Sequence, residues 1–157
     1  MSKTKEYKMF EGCTIGNRIP FIEAGARIVF DKLDIKTSEA PFACCPDPVG
    51  FNSTDHESWL AMGARNLTIA EDEEKDIVSL CNGCFQTLKA VNEELKHDEH
   101  EKEKINEILN TVDREFKGII NVKHFLEVLH EVNPDKIKEK IKKDLSGMKV
   151  ACHTGGD

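Results

Sequence analysis

Cysteine placement constrains this chain more than any other property. Cys13 stands alone, Cys44 and Cys45 are adjacent, and Cys81-Asn82-Gly83-Cys84 forms a C-x-x-C, with 30 residues in the first gap and 35 in the second. A C-x-x-C by itself fits zinc, a redox dithiol or coincidence. The adjacent pair is more restrictive, because neighbouring side chains on extended backbone point to opposite sides. Cys44 and Cys45 therefore do not easily chelate one small ion together, whereas they can reach two different irons of a polynuclear cluster. Five thiols also exceed the four that close a tetrahedral structural zinc. Count and pair together favour iron and sulfide, and unconnected buried thiols would have no reason to adopt these spacings.

At 157 residues the chain is one domain's worth, long enough to bury a real core. A net charge of −7 argues against a nucleic-acid surface, which needs clustered positive charge. The polar start, Met1-Ser2-Lys3-Thr4-Lys5-Glu6, leads into no long apolar run, so neither a secretory signal nor a membrane span is expected. Six cysteines without an export signal then point to a reducing cytoplasm, where such residues bind metal or do redox work.

Residues 7–12 read as a strand delivering Cys13, with Gly16 in the turn after it. Pro20 opens a helix to about Leu33, striped by Ile22, Ala26, Ile28, Val29 and Leu33. Residues 35–41 read as extended. Pro41, Pro46 and Pro48 make 41–48 a stiff loop that holds the cysteine pair. Thr54-Asp55-His56-Glu57 matches a capping box and starts a helix through Trp59, Leu60, Met62, Ala64 and Leu67. Residues 76–80 form a second strand ending in Cys81, and 82–95 a helix with Phe85, Leu88 and Val91 inward.

A charge run at 96–104 passes into a helix striped by Ile105, Ile108, Leu109, Val112 and Phe116. Asn121 reads as the cap of a further helix holding Val122, Phe125, Leu126 and Leu129. Asn133-Pro134 starts another, with Ile137, Ile141 and Leu145 as its buried face. Gly147 ends that helix, and 148–151 reads as a third strand running into Cys152. Strands separated by helices imply an α/β fold with a mostly parallel sheet and flanking helices. Such sheets place ligands beyond the carboxyl ends of their strands, where Cys13, Cys81 and Cys152 fall. Cys84 lies in a first helical turn, where the dipole favours thiolate. The strand-then-cysteine pattern restarts at 148–152, and the chain closes with His153-Thr154-Gly155-Gly156-Asp157.

The array, with the words Gly12-Cys13-Thr14-Ile15, Ala43-Cys44-Cys45-Pro46-Asp47-Pro48 and Leu80-Cys81-Asn82-Gly83-Cys84, resembles the cysteine-rich (CCG) domain. More closely, it resembles the form of that domain in the B subunit of the heterodisulfide reductases of methanogenic archaea. The likeness runs over essentially the whole chain, including Trp59-Leu60-Ala61, Ala64-Arg65-Asn66 and Val122-Lys123-His124-Phe125. It implies an oxidoreductase subunit of methanogenesis with two tandem cysteine-rich domains, each holding a non-cubane [4Fe-4S] cluster on five cysteines. Such a subunit reductively cleaves the coenzyme M–coenzyme B mixed disulfide. Its electrons come from a flavin-containing subunit through a ferredoxin-like one of the same complex.

Carried over residue by residue, Cys13, Cys44, Cys45, Cys81 and Cys84 are the ligands of the first cluster. Cys152 matches the first cysteine of the second array. The resemblance thus divides the chain into a cluster-binding domain at 1–147 and the start of a second, truncated repeat at 148–157. One cluster is expected here against two in a full subunit, with little or no activity from this chain alone. Pro46 stands where the domain's usual pattern has glycine.

Three other readings stay open beside it. Related cysteine-rich subunits serve thiol:fumarate reductases and complexes that oxidise 2-hydroxyacids or glycerol 3-phosphate. A zinc-stabilised interaction module would use the same thiols, and the C-x-x-C at a helix start also matches a thioredoxin-type dithiol. His97 and His100 have metal-like spacing but sit in a run of eight polar residues and read as a solvated face. Lys136, Lys138, Lys140, Lys142 and Lys143 read as the solvent side of a helix, His153 as a surface residue, and Trp59 as core.

Overall fold

The computed structural model describes residues 6–144 and 146–151. Strands β1 (Glu6–Phe10), β2 (Lys36–Ser38), β3 (Asp76–Ser79) and β4 (Val122–His124) form one parallel sheet in the order β2-β1-β3-β4. Helices α1 (Cys13–Arg18) and α2 (Pro20–Lys32) link β1 to β2. The connection to β3 carries α3 (Gly50–Thr54) and α4 (His56–Glu71), and that to β4 carries α5 (Asn82–His97) and α6 (Glu99–Asn110). Helices α7 (Phe125–His130) and α8 (Pro134–Lys140) follow.

Strand alternation divides the core between the two faces of the sheet. Phe10, Ile77 and Val122 pack with Trp59, Leu60, Leu67, Leu88 and Ile105 from α4, α5 and α6. Tyr7, Met9 and Val78 point to the other face and meet Phe30 and Val128. Burial on both faces suits an all-parallel sheet. Each large side chain removed from water contributes about 1.5–3 kcal/mol.

The end of the sheet where β3 and β4 begin is closed by charge. The buried carboxylate of Glu71 accepts the backbone N–H groups of Lys117, Gly118 and Ile119 at 2.9, 2.7 and 3.0 Å. Lys75 pairs with Glu6 at 3.1 Å and with Glu73 at 2.7 Å. Glu73 also receives the buried ammonium of Lys8 at 2.6 Å. Both lysines hold the Glu73 carboxyl down at about 2, Lys75 more strongly than Lys8.

Several expectations are corrected. The strand at 148–151 is absent: these residues lie outside the sheet, with Met148 and Val150 exposed. The place beside β3 belongs instead to Val122–His124, which had read as the start of a helix. That helix begins at Phe125, capped by the His124 ring, which accepts from Leu126 N at 3.3 Å. Gly16 lies in α1, not in a turn. Asp55 rather than Thr54 caps α4, accepting from Ser58 N at 3.0 Å, because Thr54 closes the unforeseen α3. On α2 only Ala26 and Phe30 are buried, while Ile22, Ile28 and Val29 face solvent. Ile108, Val112 and Ile141 are exposed as well, and α8 buries no residue. Leu145 and Cys152 to Asp157 lie outside the described residues.

Candidate metal centre

Strands β1, β2 and β3 run parallel, so the segments leaving them meet at one edge, and all five array cysteines are there. After β1 the chain turns at Gly12, whose φ of 74° and ψ of 162° fall in a region open essentially to glycine. A Cβ at Gly12 would lie 2.8 Å from Cys84 Sγ and 3.8 Å from Cys81 Cβ. The missing side chain is what lets the end of β1 lie against the C-x-x-C. Cys13 then opens α1 and is exposed.

After β3, Ser79 Oγ accepts from Cys81 N at 3.3 Å and donates to Cys81 O at 3.1 Å, and Cys81 becomes the N-cap of α5. Cys84 sits in the first turn and is buried. Regular structure on both sides therefore fixes this pair.

The loop after β2 has no regular structure before α3. Phe42 packs on Phe10, ring centroids 4.9 Å apart, and Asp47 Oδ1 gathers the amides of Val49, Gly50 and Phe51 at the start of α3. Between them, Asn66 Oδ1 accepts from Ala43 N at 2.8 Å, Asn66 Nδ2 donates to Cys44 O at 3.3 Å, and Thr87 Oγ1 donates to Pro46 O at 2.8 Å.

The adjacent thiols differ in surroundings. Cys45 is half-buried with its sulfur 3.0 Å from Cys84 Sγ, while Cys44 is exposed and interacts with Cys13 as well as with Cys45. Cys84 in turn interacts with Cys81, so the thiols form a connected series from Cys13 through Cys44, Cys45 and Cys84 to Cys81. One proton shared between two sulfurs lowers Cys45 to about 7 and pushes Cys84 up, and burial adds to the rise at Cys84. Burial, then Cys13, raises Cys44. Among the described residues, no three His, Cys, Asp or Glu side chains are grouped to hold a single metal ion.

Beside Cys13 and Cys44 lies a cleft of about 420 Å³, also lined by Phe42, Glu11, Glu23 and Glu39. Arg27 ties these carboxylates together, at 2.6 Å to Glu11, 2.6 Å to Glu23 and 3.3 Å to Glu39. Burial, then the neighbouring Glu23, raises the Glu11 carboxyl.

His97, at the opposite end of α5 from Cys84, and His100, in the first turn of α6, are both exposed. Lys136 pairs with Asp34 at 3.0 Å, Lys138, Lys140, Lys142 and Lys143 are exposed, and Trp59 is fully buried. Asn66 and Thr87, which grip the cysteine loop, were missed as functional residues: Asn66 stood only in a word shared with the family, and a polar residue on a helix does not declare a partner 20 or 40 residues away.

Residues 7–89 match the family model described as "Cysteine-rich domain", CCG. The chain is similar to the B subunit of the ferredoxin:CoB-CoM heterodisulfide reductase of Methanosarcina mazei, 39% identical over 149 residues that cover 94% of this chain and 49% of that one. It is also similar to the 8-methylmenaquinol:fumarate reductase membrane anchor subunit of Wolinella succinogenes, 29% identical over 154 residues, 96% of this chain and 53% of that one. The chain thus spans about half the length of these relatives. Among solved structures, a hypothetical protein from Helicobacter pylori superposes with a TM-score of 0.71 over 81% of this chain and 25% of that one, at 17% identity, a likeness of fold.

Proposed function

This chain belongs to the cysteine-rich (CCG) domain family, and on that premise we propose that it is an iron–sulfur-binding portion of the B subunit of a heterodisulfide reductase. Cys13, Cys44, Cys45, Cys81 and Cys84 are its cluster ligands, and the cluster is a non-cubane [4Fe-4S]. One observation carries the reading: five thiols lie in one series at the rim of the sheet, with Cys44 beside Cys13 and Cys45 within 3.0 Å of Cys84. Five thiols reached from three segments suit the irons of one cluster rather than one four-ligand zinc. Gly12 supports it, since a side chain there would fill the space against Cys84.

When bound, the cluster supplies electrons, and an open iron position for a product sulfur, to the cleavage of the coenzyme M–coenzyme B disulfide, which consumes two electrons and two protons and releases two thiols. The protein's part is to hold five thiolates in fixed directions at the rim of a sheet and to keep Cys84 and Cys45 away from bulk water. Partners in this reading are the flavin-containing and the ferredoxin-like subunits of the same complex. Cys152 belongs to a second cysteine-rich unit starting at 148, in keeping with relatives about twice this length. Among the described residues no helix is long and apolar enough to cross a membrane. A second reading, a component of a quinol- or thiol-linked fumarate reductase, draws on the similarity to the Wolinella succinogenes protein.

Anaerobic reconstitution with iron and sulfide, followed by electron paramagnetic resonance and visible absorption, tests the cofactor. Binding of a cluster is expected; one zinc per chain and no iron overturns it. Steady-state reduction of the coenzyme disulfide by a strong one-electron donor tests the substrate. Low turnover is expected from this chain and higher turnover from a two-domain protein, whereas equal turnover would defeat the two-cluster scheme.

A further inference from the structure

We propose that Asn66 on α4 and Thr87 on α5 are positioning residues that hold the Cys44-Cys45 segment in place, with Cys45 against Cys84 and Cys44 beside Cys13. This inference rests on the cluster reading above. The segment between β2 and α3 has no ladder or helix to satisfy its backbone, and buried backbone groups need partners. Asn66 and Thr87 supply them. Both residues are buried, at 0% relative exposure. An amide or hydroxyl so placed is costly unless bonded, and asparagine is a poor residue for a helix interior. Each is offset by long-range bonds: Asn66 to Ala43 N at 2.8 Å and Cys44 O at 3.3 Å, with Met62 O at 3.4 Å on its own helix, and Thr87 to Pro46 O at 2.8 Å.

The positions of these bonds decide what they do. Cys44 O belongs to the planar peptide joining the two cysteines, so anchoring that oxygen orients the plane from which both side chains depart. Ala43 N anchors the residue before the pair. Pro46 O anchors the peptide that follows Pro46, and Pro46 itself steers Cys45 away from helical backbone. The pair is thus bracketed at three backbone atoms by side chains from two different helices. The bracket is what keeps Cys45 Sγ at 3.0 Å from Cys84 Sγ and Cys44 beside Cys13. Groups that orient metal ligands in this way are worth about 10- to 100-fold in metal affinity.

The test uses Asn66→Leu, Thr87→Val and Thr87→Ser. In the metal-free protein, Asn66→Leu should raise amide exchange at Ala43 by about tenfold or more, because one bond is lost. After reconstitution, Asn66→Leu and Thr87→Val should hold iron about 10- to 100-fold more weakly, with an altered resonance signal. Thr87→Ser, which keeps the hydroxyl, should restore both. Wild-type affinity and signal in folded Asn66→Leu and Thr87→Val would overturn the proposal. So would a Thr87→Ser protein that behaves like Thr87→Val, since packing rather than the hydroxyl would then be responsible. If Asn66→Leu does not fold, the two Thr87 variants decide. If the wild type takes no iron, the cluster reading fails by itself. The positioning role is then judged on the metal-free protein: faster alkylation of Cys45 in Thr87→Val, reversed in Thr87→Ser, upholds it, and unchanged rates overturn it.

Discussion

The two ends of the parallel sheet are built on opposite principles. Where β3 and β4 begin, polar groups find partners within the fold: Glu71 with three amides, Lys75 with Glu6 and Glu73, and Lys8 with Glu73. Where β1, β2 and β3 end, five sulfurs lie in one series that joins sulfur to sulfur and leaves Cys13 and Cys44 exposed. Carboxylates at one end account for themselves through stability. Thiols at the other contribute little that a smaller apolar residue would not, and they make sense through what they hold. Substitutions at the two ends should therefore separate stability from iron binding.

The largest effect is expected from Glu71→Ala. Three backbone amides lose a charged acceptor, and the segment leading to β4 loses its anchor. A loss of about 3 kcal/mol in urea unfolding is expected, since bonds to charged groups are the strong ones. The folded fraction should still take up iron as the wild type does. Loss of iron uptake by folded protein would merge the two ends and break the comparison.

Gly12→Ala should act the other way. Its backbone region costs a side chain about 1–3 kcal/mol, and the new Cβ meets Cys84 Sγ at 2.8 Å. Iron content should fall further than the change in thermal midpoint explains. Normal cluster content in this variant would show that the sulfur of Cys84 is not where the centre needs it.

A smaller, purely electrostatic effect belongs to Glu73. Its carboxyl is held at about 2 by Lys75 and Lys8, against an ordinary value of 4.5. A lowered value means that the carboxylate stabilises the fold above about 4.5, and that this contribution is lost as pH falls from there toward 2. Half-exposed as Glu73 is, the gain is modest and screened by salt. Glu73→Gln should flatten the acid limb of thermal stability between those two values, with iron binding at neutral pH unchanged. An unaltered acid limb would remove Glu73 from the account.

The cysteine end was legible in the sequence because strand, cysteine and spacing repeat the same arrangement: 7–13 and 76–84 each read as a strand running into a thiol, and the folded chain bears this out. Three prolines around Cys44 and Cys45 marked the loop between. The rest was hidden for identifiable reasons. A three-residue strand such as Val122–His124 is too short to show alternation, and the helical spacing of Val122, Phe125 and Leu129 masked it. The segment 148–151 reads as a strand leading into a cysteine, yet the sheet edge beside β3 is taken by β4. Helix α2 has more apolar residues than its packing uses, so Ile22 and Ile28 misled. The roles of Asn66 and Thr87 were hidden because their partners are distant in sequence.

The central claim is that Cys44 and Cys45 serve different irons of one cluster. It is tested most directly by iron and sulfide content, with electron paramagnetic resonance, on anaerobically reconstituted wild type, Cys44→Ala and Cys45→Ala. About four irons per wild-type chain are expected, and loss of the intact cluster in each variant, because neither thiolate can take the other's place. Full iron content in either single variant, or one zinc per chain in the wild type, would contradict it.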